Sequence, residues 1–213
     1  CLLKAFPCAW GKCAFCDYIE DNSRDEAGMI ALNNQVLNLV TGEYGVLEVI
    51  NSGSCFELPK ETLNQIEQVI REKNINKLFF EAHWIYKNRL AEMRKRMPVP
   101  IVFKIGVETF DHDFRESVLN KHADFKNPEE VARYFDSPCL MVGIQGQTKE
   151  MISRDIEYLK KYFKLGTVNV YNNNTTKIRR DEELVKWFMK EYQWLLDDPS
   201  VEVLYEITDF GVG

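Results

Sequence analysis

Six short apolar runs alternate with longer amphipathic stretches along this chain, and that alternation limits the fold more than any other feature. The runs fall at 2–6 (LLKAF), 46–51 (VLEVIN), 77–83 (KLFFEAH), 101–107 (IVFKIGV), 139–145 (CLMVGIQ) and 167–172 (TVNVYN). Their length and their β-branched and aromatic content predict buried strands. Between them apolar residues step by three and four: Met29, Leu32, Val36 and Leu39; Tyr86, Leu90, Met93 and Met97; Ile152, Ile156, Leu159 and Phe163. Such spacing gives one buried stripe per helix. Start signals agree, with Pro59 ahead of Leu63, Ile66 and Ile70, Pro128 followed by Glu129 and Glu130, and Asp181 as N-cap before Leu184, Val185, Phe188 and Met189.

Parallel strands need a crossover of a dozen or more residues, usually a helix, so six β-then-α units predict a parallel sheet covered by helices. Six units are fewer than the eight of a closed barrel, which leaves an open, curved partial barrel or a doubly wound sheet. Both bind ligands beyond the carboxyl ends of the strands. The segments to watch are therefore 7–18, 51–55, 81–84, 106–111, 143–148 and 172–176.

The 213 residues suit a single domain spanning 1–213. Its 27 basic and 33 acidic residues give a net charge of −6, and the bases are dispersed among acids, which argues against a nucleic-acid partner. No apolar run approaches the roughly 18 residues of a membrane span and no signal-peptide layout opens the chain, so the expectation is a cytoplasmic protein without a membrane partner. The sequence begins at Cys1 without a methionine, and a few preceding residues are expected to be missing. No G-x-x-x-x-G-K-[ST] loop supports phosphoryl transfer on a nucleotide.

Six cysteines are too sparse for a disulfide scaffold. Three of them, Cys8, Cys13 and Cys16, crowd the loop after the first strand, a pattern that points to metal or catalysis. Structural zinc wants four ligands, and no fourth lies near. The spacing Cys8-x4-Cys13-x2-Cys16 matches the plant-type [2Fe–2S] pattern, with Cys55 or Cys139 as the fourth ligand, but the long alternating helices do not suit that context. A [4Fe–4S] cluster on three thiolates leaves one iron open to a small molecule. Cys55 and Cys139 otherwise pack as small hydrophobes. His112 and His122 sit in charged surface sequence.

The cysteine loop, with Phe15 just before the last thiol, resembles the cluster loop of the radical S-adenosylmethionine (radical SAM) enzymes, with one residue more than their usual C-x3-C-x2-C. Three further segments carry the resemblance. "NSGS" (51–54) sits where these enzymes place a glycine turn that meets the methionyl amine, "KIGVETFD" (104–111) is similar to their fourth-strand segment, and "GIQGQT" (143–148) to a following "GLPGQT". The resemblance implies a (β/α)6 partial barrel, a [4Fe–4S] cluster held by Cys8, Cys13 and Cys16, and S-adenosylmethionine cleaved to a 5′-deoxyadenosyl radical. It also implies a flavodoxin- or ferredoxin-type reductant. Phe15, Ser52, Gly53, Ser54, Glu108, Gly143 and Gln145 are the implied cofactor contacts. In these, glycines let backbone approach the ligand and Glu108 accepts from the ribose hydroxyls or amine.

Together with "EAHW" (81–84), the compact chain resembles the queuine lyase branch, which implies a lyase that converts queuine to 7-aminomethyl-7-deazaguanine. Another small-molecule radical SAM enzyme and, further off, a [2Fe–2S] electron carrier remain open. A deazaguanine base needs acidic and amide partners, and Glu20, Glu81, His83, Asn172, Asn174 and Asp209 are the candidates. His83 also suits structural packing, and "YNNNTT" (171–176) also suits a plain turn.

Overall fold

The apolar runs form strands and the periodic stretches form helices in a computed structural model that describes residues 1–205. Two compact units share the chain: Cys1–Gly11 with Tyr18–Phe103, and Lys12–Asp17 with Lys104–Gly213. The first holds β1 (Leu2–Leu3), α1 (Glu26–Leu37), β2 (Val46–Asn51), α2 (Lys60–Glu72), β3 (Lys77–Glu81) and α3 (Leu90–Arg96). Its strands are parallel and neighbours in the chain are neighbours in the sheet, with Leu2 opposite Ile50 and Val46 opposite Lys77.

The second unit takes up β4 (Ile101–Glu108) from Lys104 onward, then α4 (Pro128–Ala132), β5 (Ser137–Val142), α5 (Lys149–Tyr162), β6 (Gly166–Val170), α6 (Glu182–Glu191) and β7 (Val201–Leu204). These strands too are parallel and in chain order, with Lys104 opposite Ser137, Cys139 opposite Thr167 and Gly166 opposite Val201. β7 is a strand beyond the six that the apolar runs suggest. Its VEVL alternation is only four residues long, and Glu202 makes it read as loop. In the fold the Glu202 carboxylate is used, accepting from Lys104 Nζ at 3.4 Å and Thr167 Oγ1 at 3.2 Å.

Helix starts match their signals. Asp181 accepts from the Leu184 N–H at 3.0 Å, Thr148 from Met151 at 3.2 Å and Asn127 from Glu130 at 2.9 Å, each satisfying a donor that the first helical turn leaves without a partner. The stripe on α1 differs from expectation. Met29, Asn33 and Leu37 are buried while Leu32 and Leu39 are exposed. Asn33 decides the face: its amide accepts from the Lys4 N–H at 2.7 Å and donates to the Lys4 carbonyl at 2.8 Å, clamping α1 to the chain after β1.

The sheet is irregular at the end of β4. Between Gly106 and Glu108 the register of β4 against β5 slips, so Gly106 faces Cys139 and Glu108 faces Leu140. Glu108 sits at this bulge with φ +63°, a left-handed conformation that costs a non-glycine residue about 1–3 kcal/mol.

Candidate active site

In the first unit the polar residues gather after β2. Asn51 donates to the Ser54 carbonyl at 3.1 Å, and Ser54 with Glu57 forms a reciprocal capping box. The Glu57 carboxylate is buried and accepts from three donors: the Ala9 N–H at 2.9 Å, the Tyr86 hydroxyl at 2.9 Å and the Ser54 N–H. It thereby ties the residue next to Cys8 to the glycine turn. Burial raises the Glu57 pKa, against the pull of those three donors. A Cβ on Gly53 would lie 2.5 Å from Glu57 Oε2 and 3.3 Å from the Cys8 Cβ, so the close approach requires glycine.

Ser52 Oγ bonds Asn22 Oδ1, and Ser54 Oγ accepts from the His83 N–H at 2.9 Å. His83 caps the turn Trp84–Arg89, with Nδ1 accepting from the Ile85 N–H at 3.3 Å, while Glu81 is half-buried at the end of β3. Glu20 is exposed on the turn Tyr18–Asp21.

In the second unit the cysteine loop is fastened from two sides. The Ala14 N–H donates to the Leu119 carbonyl at 2.8 Å, and Asn120 donates to the Lys12 carbonyl at 2.6 Å. From the other side Asn174 donates to the Phe15 carbonyl at 2.7 Å, and Asp17 accepts from the Thr175 N–H and hydroxyl, both at 3.0 Å. Phe15 is buried with Phe114, Leu119, Ile144 and Tyr171, and Cys13 and Cys16 pack against that group. Glu108 forms a buried ion pair with Lys121, Oε1 to Nζ 2.6 Å.

The remaining candidates make internal contacts. Asn172 accepts from Arg180 Nη1 at 2.6 Å and donates to the Tyr205 carbonyl at 3.3 Å. The Asn174 oxygen accepts from Thr176 Oγ1 at 2.8 Å. Gln145 is exposed, its N–H bonded to the Arg179 carbonyl at 2.9 Å. Gly143 has φ +85°, and a Cβ there would strike Val185 Cγ2 at 2.3 Å, so close packing of α6 already demands a glycine. Asp209 lies outside the described residues.

Cys8, Cys13 and Cys16 are partly exposed, while Cys55 and Cys139 are buried. Burial pushes the Cys55 thiol far above its ordinary range, which makes it a poor thiolate ligand. Among the described residues no three His, Cys, Asp or Glu converge on a single ion. A cubane does not ask for that, since each thiolate binds a different iron, and the donor set of three accessible thiols fits it.

A solved structure of queuine lyase from Clostridium spiroforme, bound to SAM and queuine, is similar over 100% of this chain and 92% of its own, with 56% identity and a TM-score of 0.97. The chain belongs to the queuine lyase family of radical SAM enzymes. Its fold class is accordingly the α/β partial barrel of that superfamily. An uncharacterized protein of Methanocaldococcus jannaschii is 26% identical over 167 residues, 71% of this chain, and the chain spans only 39% of that protein's length. No protein-family model matches.

Several residues in these hydrogen-bond networks escape a reading of sequence. Glu57 had a signal, the Ser54-x-x-Glu57 capping pattern. Lys121 had none, because it follows Glu108 by thirteen residues of irregular chain. Asp17, Asn120 and Tyr86 matter only through the hydrogen bonds above.

Proposed function

We propose that this chain cleaves the side chain of queuine to release 7-aminomethyl-7-deazaguanine, starting from S-adenosylmethionine at a [4Fe–4S] cluster. The observation that carries the reading is the 56% identity to a queuine lyase along the whole chain. One radical SAM domain over 1–213 goes with it. Cys8, Cys13 and Cys16 hold the cluster. When bound, the cluster supplies an open iron for the cofactor's amine and carboxylate and the electron that splits it.

The chain's own residues position the reactants. Glu57 secures the Cys8 end of the loop to the 53–54 turn, and Asn174 with Asp17 secures the Cys16 end. Glu108, fixed by Lys121, is the acidic partner for the cofactor's ribose hydroxyls or amine, and Phe15, Ser52, Gly53, Ser54, Gly143 and Gln145 complete that set. A guanine-like edge offers ring and exocyclic N–H donors, which a carboxylate accepts in pairs. Glu81 and His83 at the end of β3 are the first candidates for it, with Glu20 and Asp209 after them. Asn172 and Asn174 spend their amides on the chain and act by ordering the end of β6. The reductant is of flavodoxin or ferredoxin type, and the compartment is the cytoplasm. Among the described residues no helix is long and apolar enough to cross a membrane.

The test is anaerobic incubation of the reconstituted protein with SAM, dithionite and queuine, followed by mass spectrometry. Joint appearance of 5′-deoxyadenosine and 7-aminomethyl-7-deazaguanine is expected. If 5′-deoxyadenosine forms equally with and without queuine and no base product appears, the lyase assignment fails.

A further inference from the structure

The structure assigns to Lys121 a role in setting the reduction potential of the cluster, with Glu108 as its counterweight; this rests on the cluster assignment above. The ammonium is buried, 2.6 Å from Glu108 Oε1 and 5.5 Å from the centre of the Phe15 ring, which stands between Cys13 and Cys16 in the loop. The residues before Lys121 are stitched to that loop, Leu119 to Ala14 and Asn120 to Lys12. The cation is therefore fixed relative to the segment that carries two of the thiolates.

Several features maintain this pair at a cost. Asn120 (φ +50°), His122 (φ +54°) and Glu108 (φ +63°) are all left-handed, so backbone strain flanks Lys121 on both sides and falls on its partner. Gly106 clears the space, since a Cβ there would lie 2.5 Å from Glu108 Oε1 and 2.7 Å from Lys121 Nζ. Buried Arg115 braces the segment, donating to the carbonyls of Thr109 and Ala123, both at 3.1 Å, and its own carbonyl takes the Lys121 N–H at 3.1 Å. Buried ion pairs rarely stabilise a fold more than apolar packing, so strain accepted to keep one points to function. The Glu108 carboxylate at 2.6 Å from Nζ offsets the burial of the ammonium and keeps it charged.

Reduction adds one electron, and so one negative charge, to the cluster. A fixed cation favours the reduced form and a fixed anion opposes it. A buried unit charge within about 10 Å of a redox centre shifts its equilibrium roughly tenfold at an effective dielectric near 20.

The experiment is a mediated redox titration of the cluster-loaded full chain, without S-adenosylmethionine, read by the spin-resonance signal of the reduced cluster. Lys121→Met should make reduction at least about tenfold harder, a fall of about 59 mV for a one-electron couple. Glu108→Gln should move the potential the other way, and Lys121→Arg should stay within about twofold of the parent. Opposite signs are the signature, because loosened packing would move both variants alike. Shifts of the same sign, or of less than about twofold in both, overturn the inference. Should Lys121→Met fail to hold iron, Glu108→Gln decides alone: a potential that does not rise overturns it. A parent protein without a four-iron cluster sinks the functional assignment instead.

Discussion

The ends of β2 and β4 each bury a glutamate, and the two are held in opposite ways. Glu57 takes three neutral donors, two backbone N–H groups and a tyrosine hydroxyl, on relaxed backbone with a local capping box. Glu108 takes an ammonium, on left-handed backbone at a bulge. The first arrangement is a brace, whose parts are local or reach the chain through hydrogen bonds alone. The second fixes a charge beside two thiols. The turn after Glu108 needs support of its own, which Asp155 on α5 supplies by accepting the Phe110 N–H at 2.8 Å.

The largest expected effect belongs to the three thiols of the proposed cluster. Replacing Cys8, Cys13 or Cys16 singly with alanine should abolish the cluster and with it cleavage of S-adenosylmethionine. Cys55→Ala and Cys139→Ala should keep about four irons per chain in iron and sulfide analysis. Loss of iron from the Cys55 variant would return the four-thiolate reading and remove the distinction between exposed and buried thiols.

How far these ends could be read from sequence obeys the same division. Strand ends and helix starts were legible because apolar period, proline and capping residues are local signals. Local signals also reached Ser54, but Glu57 in the same turn went unread although Ser54-x-x-Glu57 is a capping pattern. They did not reach Lys121, whose partnership depends on a bulge, a π-turn over Phe114–Val118 and two left-handed residues. On α1 the apolar count favoured Leu32 and Leu39, but the buried face follows the amide of Asn33, whose bonds to Lys4 no periodicity encodes. In 171–176 both readings of the asparagines were open in sequence. The hydrogen bonds show the turn and its tie to the cysteine loop.

Asp155 offers the next largest effect, and the measurement that reads it is the dependence of stability on pH. Burial raises its pKa to about 7, against the hydrogen bonds of Thr109 and Phe110 and the charge of Arg154. The unfolded carboxyl loses its proton near pH 4 while the folded one keeps it to about 7, so the folded state binds more protons in that window. Stability from this group is therefore full below about pH 4 and falls as pH rises toward 7, by up to about 4 kcal/mol at about 1.4 kcal/mol per unit. Asp155→Asn keeps an oxygen for the Phe110 N–H and removes the titration. Denaturant midpoints should then vary less between pH 5 and 8, with the variant more stable than the parent at pH 8. An unchanged slope would mean that Asp155 ionises normally in the fold.

Glu57→Gln probes the neutral brace. Glutamine retains one acceptor oxygen but turns an amine toward donors that had a carboxylate, and an unsatisfied buried donor costs about 1–3 kcal/mol. A stability loss in that range is expected, with the cluster more readily stripped by chelator. The three donors are neutral, so no cation is left unpaired by the change. An unchanged denaturation midpoint together with unchanged iron loss to chelator would show that the carboxylate is no brace.

The smallest effect belongs to Asn174, and it decides between holding the loop and touching the substrate. Its amide donates to the Phe15 carbonyl at 2.7 Å, and its oxygen takes the Thr176 N–H at 3.0 Å, so both ends of the group are occupied within the chain. Removing it leaves the Phe15 carbonyl without that donor, while Asp17 still holds Thr175 through two bonds at 3.0 Å. Asn174→Ala should therefore cost about 1 kcal/mol of stability, the net worth of an ordinary hydrogen bond. Iron loss to chelator should quicken, and the KM for queuine should stay close to that of the parent. A KM raised roughly tenfold, about 1.4 kcal/mol, with iron retention unchanged would instead put the Asn174 amide on the base and leave Asp17 as the fastening of the Cys16 end.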